Sequence, residues 1–174
     1  MEEFQTIEKA YELFKNANCA GNENCIFVAF RDTSRGGVQA GIAGGIGGAV
    51  GAIVANAVAK SMVSHDAFTN LLYDGFLINK TEAGIGLIPL NNDGVMWLAS
   101  TEKLRANTNL SFFIKNEEIE SVKIKNLALL NSKIKSIKIT FTDGFKLRLI
   151  VRMKDKFISY TESNFPSFMQ SYSN

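Results

Sequence analysis

Histidine is almost missing from this chain: His65 is the only one among 174 residues, and Cys19 and Cys25 are the only cysteines. With so few soft ligands a structural zinc site is not expected. A net excess of either charge is also lacking, the formal net charge being +2. A dedicated nucleic-acid binder carries a strong basic excess, so no nucleic-acid partner is expected. The N-terminal stretch "MEEFQTIEKAYELF" has no basic region followed by an apolar run. It does not read as a secretory signal, and the expected location is the cytoplasm, with the inner face of the cell membrane as a candidate site of association. In that compartment Cys19 and Cys25 are expected as thiols, a disulfide between them being the alternative.

What is present instead is apolar pattern. Phe4, Ile7, Tyr11 and Phe14, with Ala10 and Leu13 beside them, recur at helical spacing and predict an amphipathic helix that ends before "NANCAGNEN". "CIFVAFRD" (25–32) reads as a buried strand. After residue 65 the texture changes to short apolar runs separated by turn signals. "LLYDGFLIN" carries an Asp-Gly pair, "GIGLIPLNNDGVMWLAS" reads as a hairpin around Asn91–Gly94, and "SIKITFTDGFKLRLIV" is the clearest hairpin. In the last of these, Leu147, Leu149 and Val151 alternate with Lys146, Arg148 and Ile150, as where one sheet face is dry and the other wet. "EEIESVKIKN" alternates with a slip of one residue, which predicts a bulge. The tail reads as a helix capped by Asn164, with Pro166 in its first turn and Phe165, Phe168, Met169 and Tyr172 on one face.

Residues 36–59 hold no charge and no proline, and consist almost wholly of Gly, Ala, Val and Ile. They do not form a phosphate loop. The best dinucleotide alignment, Gly45-x-Gly47-x-x-Val50, has the wrong third residue, and no lysine stands at Walker spacing. Helical spacing fits better. Val38, Ile42, Ile46, Val50, Val54 and Val58 form an i, i+4 ridge flanked by rows of small residues that include Gly37, Gly41, Gly44, Gly45, Gly48, Gly51 and Ala52. Such a glycine zipper lets helix backbones approach closely. Each Gly costs about 1 kcal/mol relative to Ala in a helix, so a tight contact or a bilayer must supply the difference. A helix over 36–59 would be about 36 Å long against a hydrocarbon core of about 30 Å, so length permits a span. Its hydropathy suits an associated span better than a lone one.

"DGFLINKTEAGIGLIPL", "FFIKNEEIESVKIKN", "IKITFTDGFKLRLIV" and "NFPSFMQSY" together resemble the bacterial pleckstrin-homology-like domains, related in shape to the GRAM domain. The middle segment carries an acidic turn, Asn116-Glu117-Glu118, leading into an I-x-S-V step at Ile119–Val122. The resemblance implies a bent antiparallel sheet plugged at one end by a C-terminal helix. It implies no particular ligand, since this scaffold hosts lipid, peptide and protein binding alike.

No catalytic constellation accompanies this pattern. His65-Asp66 lies near Ser61 and Ser64 without a nucleophile elbow, and Glu117, Glu118 and Glu120 read as solvated acids at a strand entry. The basic residues of the second half are more suggestive. Period-two alternation places Lys146, Arg148 and Arg152 on one sheet face with Lys138 opposite, a candidate face for anionic lipid, or else an ordinary wet face. The expected fold is α+β: residues 1–65 supply an N-terminal helix, a strand and the glycine-zipper helix, and residues 66–174 form the pleckstrin-homology-like domain. The expected role is non-enzymatic and needs no cofactor. It is a binding or scaffolding module that self-associates, pairs with a partner helix or docks on membrane lipid through 36–59. The alternative is a soluble interaction domain whose glycine helix only packs in a core or dimer interface.

Overall fold

In a computed structural model the described residues are 2–32, 73–92, 101–128 and 131–173. The glycine-zipper residues Gly37 to Ala52, His65, the boundary at 65/66 and the second arm of the hairpin expected near Asn91–Gly94 lie outside them. Within them the chain is α+β, an antiparallel eight-stranded sheet with two helices, and the sheet is not closed.

Helix α1, Ile7–Asn16, starts at Thr6, whose hydroxyl accepts from the Lys9 amide, and carries Glu8 in its first turn and Lys15 in its last. Eight strands follow: β1 Ile26–Arg31, β2 Gly75–Lys80, β3 Gly84–Asn92, β4 Leu104–Ala106, β5 Phe112–Lys115, β6 Ile119–Ala128, β7 Asn131–Phe141 and β8 Lys146–Arg152. Helix α2, Tyr160–Gln170, ends the fold. The spatial order is β4-β3-β2-β1-β8-β7-β6, with β5 on the first half of β3.

The strand read in the N-terminal portion, β1, lies in the middle of this sheet, between β2 and β8. It therefore shares one sheet with strands on the far side of the glycine segment. Asp74-Gly75, although spelled like a hairpin turn, is not one. Gly75 opens β2, where a Cβ would stand 2.4 Å from the Ala29 carbonyl oxygen. The true Asp-Gly turn is Asp143-Gly144, between β7 and β8. Gly144 has φ +87°, and the Asp143 carboxylate accepts from the Phe145 amide at 3.0 Å. The slip expected in β6 is present, as a register shift between Ile119 and Ser121.

Two cores lie on opposite faces. Phe27, Phe76, Ile78, Ile85, Leu87, Ile137, Ile139, Leu147 and Leu149 line the face that α2 covers with Phe165 and Phe168. The other face is covered by α1 only over β1 to β4, where Phe4, Leu13 and Phe14 meet Ile26, Val28, Leu77, Ile88 and Leu90. Strands β1 to β3 are thus buried on both sides and read as continuous apolar runs. Strands β6 to β8 are dry on one side only and alternate.

The C-terminal helix departs from its expected start. It begins at Tyr160, so Asn164 is no cap and Pro166 lies inside the helix rather than in its first turn. The cause is the neighbouring strand. β1 pairs with β8 only at Phe30 and Arg31, which leaves its first half without a backbone partner on that side. Helix α2 fills the gap: Thr161 Oγ1 accepts from the Val28 amide at 3.2 Å, and Asn164 Nδ2 donates to the Ile26 carbonyl at 3.1 Å and the Glu23 carbonyl at 3.0 Å.

Both cysteines are free and buried. Burial pushes the Cys19 thiol up to about 12, and it raises Cys25 as well, against a smaller opposing pull from Lys80. A thiol held protonated and out of solvent reacts slowly. At pH 8 the native chain is expected to leave both thiols largely unmodified by a water-soluble disulfide reagent, and to release both in denaturant. Rapid native reaction of Cys19 would contradict this packing.

Candidate binding face

The wet side of β6 to β8 is where the exposed functional groups collect. Register places Lys123 opposite Lys138, Lys138 opposite Arg148, and Lys146 opposite Thr140, with Lys125 opposite Ser136. The outward strand positions of this three-stranded patch are therefore Ser121, Lys123 and Lys125, then Ile134, Ser136, Lys138 and Thr140, then Lys146, Arg148, Ile150 and Arg152. None of them is acidic. Among the described residues, Lys123, Lys125, Lys138, Lys146 and Arg148 form no ion pair.

Lys138 sits at the centre. Partial burial in the sheet face, and after it the charges of Lys123, Lys146, Arg148 and Lys125, push its pKa below the ordinary lysine value. Like charges held this close repel one another and gain from any anion that settles among them. Of the four residues expected to share this face, Lys138, Lys146 and Arg148 lie together. Arg152 stands further along, opposite Ile134, with its guanidinium 4.6 Å from the ring centroid of Phe30. Lys123 and Lys125 belong to the face as well. Alternation within β6 identifies them as outward, but only the β6–β7 register sets them beside Lys138.

Other candidates have structural work. The Glu118 carboxylate accepts from the Lys115 amide at 2.8 Å, and Glu117 lies 3.5 Å from Lys115 Nζ, so both fasten the turn before β6. Among the described residues no group of three or more His, Cys, Asp and Glu gathers as metal ligands do. Among those same residues, no helix is long and apolar enough to cross a membrane.

The glycine segment leaves the sheet next to the basic face and rejoins it at β2, on the far side of β1. The Asp32 amide donates to the Arg148 carbonyl at 3.4 Å, and on the return Asp74 accepts from the Arg31 amide at 3.1 Å. The first root of residues 33–72 is thereby fixed to Arg148 itself, and the second to β1, the strand beside it. No protein-family model matches the chain, no curated protein matches it, and no solved structure matches it.

Proposed function

We propose that this chain is a non-enzymatic docking module of pleckstrin-homology-like build, which sits on an anionic membrane surface through the outer face of β6–β8. Residues 36–59 then add a hydrophobic contact or join copies of the chain. The observation that carries the reading is the cluster of Lys123, Lys125, Lys138, Lys146 and Arg148, with no carboxylate at the outward positions paired between β6, β7 and β8, the exposed Glu120 standing at the bulge that opens β6, and with the departing end of the glycine segment bonded to Arg148. Each lysine or arginine near an anionic bilayer contributes about 1 kcal/mol, and two weak anchors hold where one does not. The pleckstrin-homology-like part of the proposal is supported by an antiparallel sheet followed by a C-terminal helix that packs against one of its faces.

The test is sedimentation of the full chain with vesicles of phosphatidylcholine alone, and of phosphatidylcholine with phosphatidylserine. Binding is expected only to the second kind and should fall steeply with salt. Lys138→Glu with Arg148→Glu should weaken it by about thirtyfold or more, given the contribution per charge. Equal binding to neutral vesicles, or none to either, would overturn the proposal.

A further inference from the structure

The two ends of the sheet are treated differently. At one end β4 is covered, because Glu2 pairs with Ala106 through amide–carbonyl bonds of 2.9 and 2.8 Å. At the other end stands β6, ten residues long, whose only strand partner among the described residues is β7. Between its irregularities at Ile119/Ser121 and Asn126/Ala128, β6 keeps unbroken register from Ser121 to Asn126. An edge of this length is a template for another strand. Beside it runs a groove of about 520 Å³, walled by Ile124, Lys125 and Asn126 of β6 and Lys135 of β7 on the strand side, and on the other by Met169 of α2 and by Tyr172 just beyond its end.

The two faces of this edge differ in chemistry. On the side that faces α2, Val122 and Ile124 are only half-buried, as are Met169 and Tyr172 across the groove. On the outer side Lys123 and Lys125 are exposed. The Tyr172 hydroxyl has no hydrogen-bond partner among the described residues. We infer that the free edge of β6 accepts an extended segment of a partner protein as a ninth strand, one that alternates apolar with acidic residues. Its apolar side chains would cover Val122, Ile124, Met169 and Tyr172, and its carboxylates would lie beside Lys123 and Lys125. Backbone pairing supplies affinity in this mode, and the alternating side chains supply choice of partner. Lysines on an edge strand deter indiscriminate pairing, and the same charges select an acidic strand over a neutral or basic one.

The probe is an acetylated, amidated octapeptide of alternating Glu and Val, compared with its Lys and Val counterpart, titrated into the full chain. The acidic peptide should bind saturably and at least about tenfold more tightly than the basic one, given two facing charges. It should also slow hydrogen exchange at alternate amides of 121–126. Lys123→Glu with Lys125→Glu should leave the fold intact and invert the preference between the two peptides. The idea fails if no saturable binding occurs, or if binding leaves the β6 amides unprotected. It also fails if those amides are already as protected as those of β7 in the free chain, since part of this chain would then occupy the edge. Vesicle binding is read separately, through Lys138 and Arg148 on β7 and β8, so either proposal can fail alone.

Discussion

Replacing Phe27 with alanine is expected to remove about 4 kcal/mol of stability, read from the urea midpoint at unchanged slope. Phe27 is fully buried in the central strand of the sheet. Its ring centroid lies 4.9 Å from that of Phe165 and 4.7 Å from that of Phe168, so it makes the aromatic contact between α2 and β1. Truncation removes the buried ring area and also two edge-on or tilted aromatic contacts, worth about 0.5–1.5 kcal/mol each. Neighbouring strands hold the sheet in register and cannot collapse into the space. In a domain of this size the same loss should lower the melting temperature by roughly 10 °C. Leu127, 42% exposed on β6, is the control: Leu127→Ser should stay within about 0.5 kcal/mol. A Phe27→Ala loss no larger than that would mean α2 does not close this core.

Such a core was largely legible in the linear chain, because burial leaves a period. Ile137, Ile139, Leu147 and Leu149 all fall on one face by simple alternation, and Asp143-Gly144 marks the turn that brings their strands together. What alternation does not give is the identity of a strand's partners. "CIFVAFRD" reads as a buried strand from its own letters, yet its place between β2 and β8 depends on pairings formed across long stretches of chain. Asp74-Gly75 misleads for a related reason. The letters that make a turn at Asp143-Gly144 serve at Gly75 to let the β1 backbone approach, which only the assembled sheet reveals.

The binding face divides in the same way. Lys146, Arg148 and Arg152 follow from period two within one strand, while the placing of Lys123 and Lys125 beside Lys138 needs the register of β6 on β7. Exposure itself is a tertiary fact. Helix α1 covers the outer surface of β1 to β4 and reaches no further, and the charge pattern of β6 to β8 follows from that limit. One sheet therefore carries two textures, a double-sided core and a single-sided one. The seam between them is β1–β8, where the strands pair over two residues and the glycine segment departs.

At that seam Asn164 replaces a missing strand, and its substitution tests the arrangement most sharply. Its amide donates to the Glu23 and Ile26 carbonyls from a site that is 7% exposed. Asn164→Leu keeps the bulk and leaves the Ile26 carbonyl unpaired, while the Glu23 carbonyl keeps only the Ile26 amide, which should cost about 2 kcal/mol at 1–3 kcal/mol per buried group. An Asn164 that merely capped an exposed helix end would cost about 1 kcal/mol. Asn164→Asp separates the two roles further. A carboxylate facing two carbonyl oxygens is repelled, so its folded pKa should rise above the ordinary value of about 3.9. A group raised in this way is tolerated while protonated and opposes folding once the unfolded chain ionises. The stability difference from the unsubstituted chain should therefore be smallest near pH 4 and widen towards pH 7. For a cap the sign is opposite, since a carboxylate at a helix N-terminus gains as it ionises. Urea midpoints of the two chains across that pH range decide between them: a difference that narrows with rising pH would return Asn164 to the helix end and leave Thr161 alone to partner the first half of β1.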